Sequence, residues 1–295
     1  MSGILTVFHS AACDVENPPR ETLEKPRHVA ERIRRDRSHR VQLVAPTPAS
    51  RDELLTIHTS EWVDAISTGE PVGLASEVFA WSESYARSVI TSTGAMRDAV
   101  RHALAHGAAG ALAAGLHHAR AEIGAGYCTF NGLALGALTA LDDGVGSVGI
   151  LDVDAHNGGG THSILGSNPA VRIADVSVSP YDRWSSTADR HHRAQVIDAE
   201  DYLGEVAVAL EHLRGVDLLL HNAGMDPHEG CDVGGLPGIT DTVLAERERM
   251  VADWIRSTGT PAAFALAGGY RGPELTLDDI VDLHMLTVDA FAGLV

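Results

Sequence analysis

With 295 residues and 44% apolar side chains, the chain can fill one large α/β core, and at 5% aromatics that core is built from Ala, Val, Leu and Ile. Forty acidic residues against 22 basic ones give a net charge of −18, which argues against a nucleic-acid-binding surface and tilts any charge preference toward cationic partners. The odd set Cys13, Cys128 and Cys231, with no C-x-x-C spacing, argues against a disulfide framework and a zinc ribbon.

The start of the chain has no basic segment ahead of a long apolar run, so no signal peptide is expected. No stretch reaches the ~18 uninterrupted apolar residues of a membrane span. A cytoplasmic protein without a membrane or nucleic-acid partner is the expectation. The first strand expected is Ile4–Phe8, followed by a long helix over Ala86–Gly115, whose Ala103–Ala114 portion reads as a tightly packed buried helix. A helix over Leu133–Leu141 leads to strands Val148–Val153 and Val171–Val178. Helix Tyr202–Arg214, strand Val216–Leu220, helix Val243–Arg256, strand Ala262–Leu266 and helix Leu277–Phe291 complete the series. Several strands lack polar alternation, as strands buried on both faces do. The βα rhythm predicts an α/β fold, one domain over 1–295 with a central, mostly parallel sheet flanked by helices. There is no internal repeat or low-complexity linker.

Ligand sites in such sheets gather at the carboxyl ends of the strands. Three strand ends are polar and Gly-rich: Asp152–Gly160, His221–His228 and Ala267–Tyr270. Asp154 and His156 are two apart, so both side chains reach one side and one metal ion. Asp226 can supply a third ligand, leaving the open position that a catalytic Zn²⁺ needs; oxygen-rich ligation also accommodates Fe²⁺ or Mn²⁺. Asp152 shares the parity of Asp154 and His156, and a buried carboxylate there needs a partner His or a second cation. The His117-His118 pair offers general bases. The turn Gly126–Asn131 could wall a narrow pocket, and Tyr270, after two glycines, could donate to a developing oxyanion.

In this order and spacing the segments resemble the zinc-dependent histone deacetylase and acetylpolyamine amidohydrolase superfamily, of the arginase-deacetylase fold. Glu24–His28, His58–Val63 and Ser92-Thr93-Gly94 join the resemblance, and Ala155 with Asn222–Asp226 and Gly234-Gly235-Leu236 leans toward its class IV branch. The resemblance implies metal ligands Asp154, His156 and Asp226, acid/base histidines His117 and His118, and Asp152 orienting His117. It implies Tyr270 at the oxyanion, Tyr127 and Gly126 along the acyl channel with Gly268 and Gly269 beside it, and a structural K⁺ near Asp152. Four departures stand out. Gly159 replaces the Asp or Asn that would orient His118, so that histidine is expected to lack its partner. Asn157 replaces a His or Gln, and Cys231 an Asp. The segment Ser179–Trp184 lacks the Pro-Gly-Thr-Gly turn, with Trp184 expected as the opposite channel wall.

The expected activity is metal-assisted hydrolysis that removes an acetyl or other acyl group from an amine, either acyl-lysine or an acylated, cationic polyamine. A ureohydrolase of the arginase type is the enzymatic rival, although Gly158 stands where a second metal would need a carboxylate. A deacetylase-like binding protein without turnover is the other rival, resting on Gly159. The oligomeric state stays open, a homo-oligomer included.

Overall fold

The computed structural model describes residues 3–113, 116–187 and 191–295. In chain order they form β1 (Leu5–Phe8), α1 (Glu21–Asp36), β2 (Val41–Val44), α2 (Arg51–Leu54), α3 (Ser60–Thr68), α4 (Val72–Ala75), α5 (Glu83–His106), β3 (Ala108–Ala111) and α6 (Gly132–Asp142). There follow β4 (Val148–Asp152), α7 (Gly159–Leu165), β5 (Val171–Ser177), β6 (Arg193–Val196), α8 (Tyr202–His212), β7 (Leu218–Asn222), α9 (Asp241–Thr258), β8 (Ala262–Ala265) and α10 (Leu277–Ala292). The eight strands make one sheet in the order β2-β1-β3-β8-β7-β4-β5-β6, and every neighbouring pair is parallel. All carboxyl ends therefore lie along one edge.

The period-2 geometry of the strands explains their uniform hydrophobicity. Val148 and Ile150 of β4, with Leu218 and Leu220 of β7, pack on one face against Met96, Val100, Leu133 and Ala137 of α5 and α6. The alternate residues Leu151, Leu219 and Phe264 pack on the other against Val206, Val251 and Val288 of α8, α9 and α10. Each fully buried Val or Leu contributes roughly 1.5–3 kcal/mol. With helices on both faces the strands are apolar along most of their length, with Thr6, Asp175 and His221 among the buried polar exceptions.

The Ala-rich segment departs from the expected helix. Helix α5 stops at His106, Gly107 turns the chain at φ 94°, and Ala108–Ala111 is the strand β3; residues 114 and 115 lie outside the described residues. A Cβ on Gly110 would sit 2.1 Å from the Phe264 ring of the adjoining strand, so only the smallest side chains fit. Packing overrides the helix propensity of alanine here. The unanticipated strands β2 and β6 are four-residue edges without full burial, and α1 carries Pro26 in its interior. Among the described residues no helix is long and apolar enough to cross a membrane.

His58, between α2 and α3, ties two loops that reach the carboxyl edge. Its Nδ1–H donates to the Arg120 carbonyl (2.8 Å), and its Nε2 accepts the Asn131 N–H (3.0 Å). Both nitrogens are thus committed to the neutral ring, and burial pulls the pKa from 6.5 to about 4. On acidification the unfolded chain takes up this proton near pH 6.5 while the folded chain refuses it until about pH 4. Stability is expected to fall across that window by on the order of 3 kcal/mol from this residue. Urea unfolding at stepped pH measures it, and the slope should flatten in His58→Gln.

Candidate metal and catalytic site

Asp154, His156 and Asp226 stand just beyond the ends of β4 and β7 and are buried together, with one ligand atom from each lying within 4.8 Å of the others. Backbone amides fix the carboxylates. Asp154 Oδ2 accepts the Gly268 N–H (2.7 Å), its Oδ1 accepts the His156 N–H (3.0 Å), and Asp226 Oδ1 accepts the Ala155 N–H (3.0 Å). Asp226 Oδ2 has no hydrogen-bond donor, although His156 Nδ1 lies 3.1 Å away. Burial, then Asp154, raises the Asp226 carboxyl to about 6. Burial would lower the His156 pKa, but the two carboxylates outweigh it and push it up to about 11. A buried carboxylate oxygen without a donor, facing an imidazole and a second carboxylate, fits a cation that replaces the proton on His156.

His117 and His118 follow β3, their rings 3.9 Å apart. The His117 Nδ1–H donates to Asp152 Oδ2 (2.9 Å), and Asp152 Oδ1 accepts from Asn222 Nδ2 (2.8 Å) and from the Asp154 N–H (3.2 Å). Protein donors thus satisfy the buried Asp152. Burial works against a charged His117, but Asp152 and Asp154 prevail and raise its pKa to about 10. Burial, and then the charge of His117, lowers His118 to about 4. The two neighbouring rings are thus pushed in opposite directions, His117 up and His118 down.

Contrary to expectation, His118 does not lack a partner. Its Nδ1–H donates to Asp182 Oδ2 (2.8 Å), a residue of the turn after β5. This leaves Nε2 of the neutral ring bare on a pocket of about 520 Å³ lined by His118, His156, Tyr270, Tyr127 and Tyr181, with Glu77 among its exposed residues. Tyr127 and Gly126 line this pocket. Tyr127, at φ 65°, stacks on Phe79 (5.8 Å). Burial, then Asp226 and Asp154, holds the Tyr270 phenol well above its usual range, so it is a hydrogen-bond donor.

Trp184 is not the opposite wall. It is buried behind the site, its Nε1–H donating to Asp175 Oδ2 (2.9 Å) and its ring stacked on His162 (4.2 Å), because Asp175 needs donors that Asn157 and Gly158 only partly supply. Tyr181 takes the wall position, its ring edge-on to His118 at 5.0 Å. Gly268 and Gly269 do not line the pocket either. A Cβ on Gly268 would lie 2.3 Å from the Asp226 carboxylate, and Gly269, at φ 146°, backs onto His284. Gly268 supplies clearance beside the Asp226 and Asp154 carboxylates, and Gly269 beside His284.

Sequence reasoning missed further residues. Lys25, fully buried in α1, donates through Nζ to the carbonyls of Ala267 and Gly269 (3.4 Å to the latter). Burial lowers its pKa to about 8 against the pull of Asp226 and Asp154. Arg247 of α9 donates to the Gly224 carbonyl (2.7 Å) and the Tyr202 hydroxyl (3.0 Å) and pairs with Glu248, which in turn holds His221 (3.1 Å). Asp182 was within reach of the strand-end rule, since Val171–Val178 already read as a strand; Lys25 lies in the Glu24–His28 segment that joins the family resemblance, while Arg247 sits in an ordinary helical pattern that carries no signal.

The all-parallel sheet, with a one-His, two-Asp cluster and tandem histidines at its carboxyl edge, is the arrangement that the resemblance to the histone deacetylase superfamily implies. Residues 19–195 match the histone deacetylase domain family. The chain belongs to that family, whose chemistry is amide deacetylation and whose members are generally metal-dependent. It is 30% identical over 254 residues to an uncharacterised protein of Picosynechococcus sp., covering 83% of each chain. It is 27% identical to histone deacetylase 2 of Arabidopsis thaliana over 77% of this chain and 63% of that one. In structure it is similar to the HD domain of HDA15 (TM-score 0.81, 21% identity, covering 99% of this chain and 90% of that one). It is likewise similar to acetylpolyamine aminohydrolase from Burkholderia pseudomallei (TM-score 0.82, 17% identity, covering 98% and 99%).

Gly268→Ala forces its new methyl into the Asp226 and Asp154 carboxylates, so divalent-cation affinity should fall at least about tenfold while the fold persists. Titration calorimetry with Zn²⁺, beside a thermal melt, measures both.

Proposed function

We propose that this chain is a zinc-dependent deacylase that hydrolyses the amide of an acylated amine. The observation that carries the reading is the convergence of Asp154, His156 and Asp226 at the base of a pocket onto which His118 and Tyr270 also face. A divalent cation held by those three residues would polarise the acyl carbonyl and acidify a water. The neutral His118, with Nδ1–H committed to Asp182, offers Nε2 to receive a proton from the attacking water, and it or His117 returns a proton to the leaving amine as the C–N bond breaks. His117, kept charged by Asp152 and Asp154, adds positive charge beside the reacting group. The Tyr270 hydroxyl donates to the carbonyl oxygen as it gains negative charge. Tyr127 and Tyr181 flank the channel and exclude water from an extended acyl-amine.

Zn²⁺ is proposed for its fit to one imidazole and two carboxylates, with Fe²⁺ the alternative ion. A K⁺ near Asp152 rests on the family resemblance, since the Asp152 side chain already finds His117 and Asn222. The acidic net charge and Glu77 at the pocket favour a cationic amine. Three free, buried cysteines suit a reducing, cytoplasmic setting. The ureohydrolase reading loses ground because a side chain on Gly158 would strike Asp152 Oδ2 at 2.6 Å, and the inert-protein reading because His118 has its carboxylate.

Purified protein should release acetate from an acetyl-lysine or acetylpolyamine substrate, lose activity to a chelator and regain it with Zn²⁺. Tyr270→Phe should lower kcat by about 10²–10³-fold with metal content unchanged. Wild-type turnover in that variant, or silence of metal-loaded protein across short-acyl, long-acyl and polyamine substrates, would overturn the reading. For a polyamine, Glu77→Gln should raise KM several-fold and leave neutral acyl-amines unaffected, as steady-state kinetics on both will tell.

A further inference from the structure

The family resemblance puts an Asp or Asn at position 159 to orient the second histidine, and this chain has glycine there. We infer that the turn after β5 has taken over this orienting role, with Asp182 as the positioning residue for His118 and Gly159 as the space it occupies. The inference rests on the proposed role of His118 in proton transfer.

Two contacts define the arrangement. Asp182 Oδ2 accepts the His118 Nδ1–H (2.8 Å), while Oδ1 accepts from Arg120 Nη2, so both carboxylate oxygens are spoken for and the group cannot rotate. Asp182 holds φ 54°, a left-handed conformation that a non-glycine residue adopts only under constraint. The Asn157 N–H donates to the Tyr181 carbonyl (3.1 Å), pinning the turn to the loop that carries His156.

Gly159 completes the fit. A Cβ there would lie 2.4 Å from Asp182 Oδ1 and 2.5 Å from the Asp182 carbonyl oxygen, so any side chain at 159 drives the turn away. The carboxylate at 182 and the vacant Cβ at 159 are one feature seen from two loops. Tyr181, the neighbour of Asp182, walls the pocket edge-on to His118. The substrate wall and the orienting carboxylate thus share one turn.

The test uses the full-length, Zn²⁺-loaded protein and a double-mutant cycle. Asp182→Ala and Gly159→Ala should each lower kcat by about tenfold or more with little change in KM. The combined variant should be no worse than either alone, although helix propensity by itself favours Ala at 159. Asp182→Asn, which keeps an oxygen acceptor, should retain most of the activity. Independently of turnover, ¹⁵N-histidine spectra should show the His118 Nδ1–H tautomer in the wild type and Asp182→Asn and lose it in Asp182→Ala and Gly159→Ala. Additive losses in the cycle, or an unchanged tautomer in Asp182→Ala, would overturn the inference. A Gly159→Ala protein that does not fold leaves the decision to the Asp182→Asn and Asp182→Ala pair. A wild type that cleaves no acyl-amine defeats the proposed function, and the spectra alone then decide the positioning.

Discussion

Two carboxylates and an imidazole are buried together at the middle of a parallel sheet edge, and the rest of the site answers to the cost of putting them there. A buried, unpaired carboxylate costs several kcal/mol, and two side by side raise each other's proton affinity. The chain meets this with backbone donors from Ala155, His156 and Gly268 and leaves Asp226 Oδ2 without one. Beneath the β7 loop, Arg247 grips the Gly224 carbonyl and Glu248 grips His221, so the backbone that presents Asp226 is fixed by charges that are themselves fully paired. Rigidity of this kind keeps ligand atoms from relaxing away from one another.

The tandem histidines show how neighbouring groups with the same intrinsic basicity acquire different states. Asp152 and Asp154 raise the pKa of His117 against its burial, whereas burial and the neighbouring His117 lower that of His118. Environment assigns the states, as it does for paired carboxylates in other hydrolytic sites. Among the described residues, three of the four non-glycine residues at positive φ, Tyr127, Asp182 and Ala267, lie in loops at this site. Local backbone cost is concentrated where side chains must be aimed.

Much of this was legible in the sequence, for identifiable reasons. The strands β4, β5, β7 and β8 announce themselves because both faces are apolar, and Asp154, His156 and Asp226 because polar residues follow those runs directly. β3 is unreadable along the chain: its Gly110 is required by the Phe264 ring on the adjacent strand, a contact between residues more than 150 positions apart in sequence. The edge strands β2 and β6 were too short and too exposed to leave a pattern. Asp182 escaped because its partner is 64 residues away and the glycine that makes room for it reads, along the chain, as a loss. Trp184 was placed in the channel because aromatic side chains suit channels, but Asp175 needed its indole N–H more.

Lys25 carries one more consequence. Its ammonium group, near the start of α1, is fastened to the carbonyls of Ala267 and Gly269, 242 and 244 residues later. The backbone that offers Tyr270 to the pocket is thus held by a helix made at the opposite end of the chain. Asp154, His156 and Asp226 all precede that loop in sequence, so synthesis completes the ligand set before the clasp that steadies Tyr270 exists.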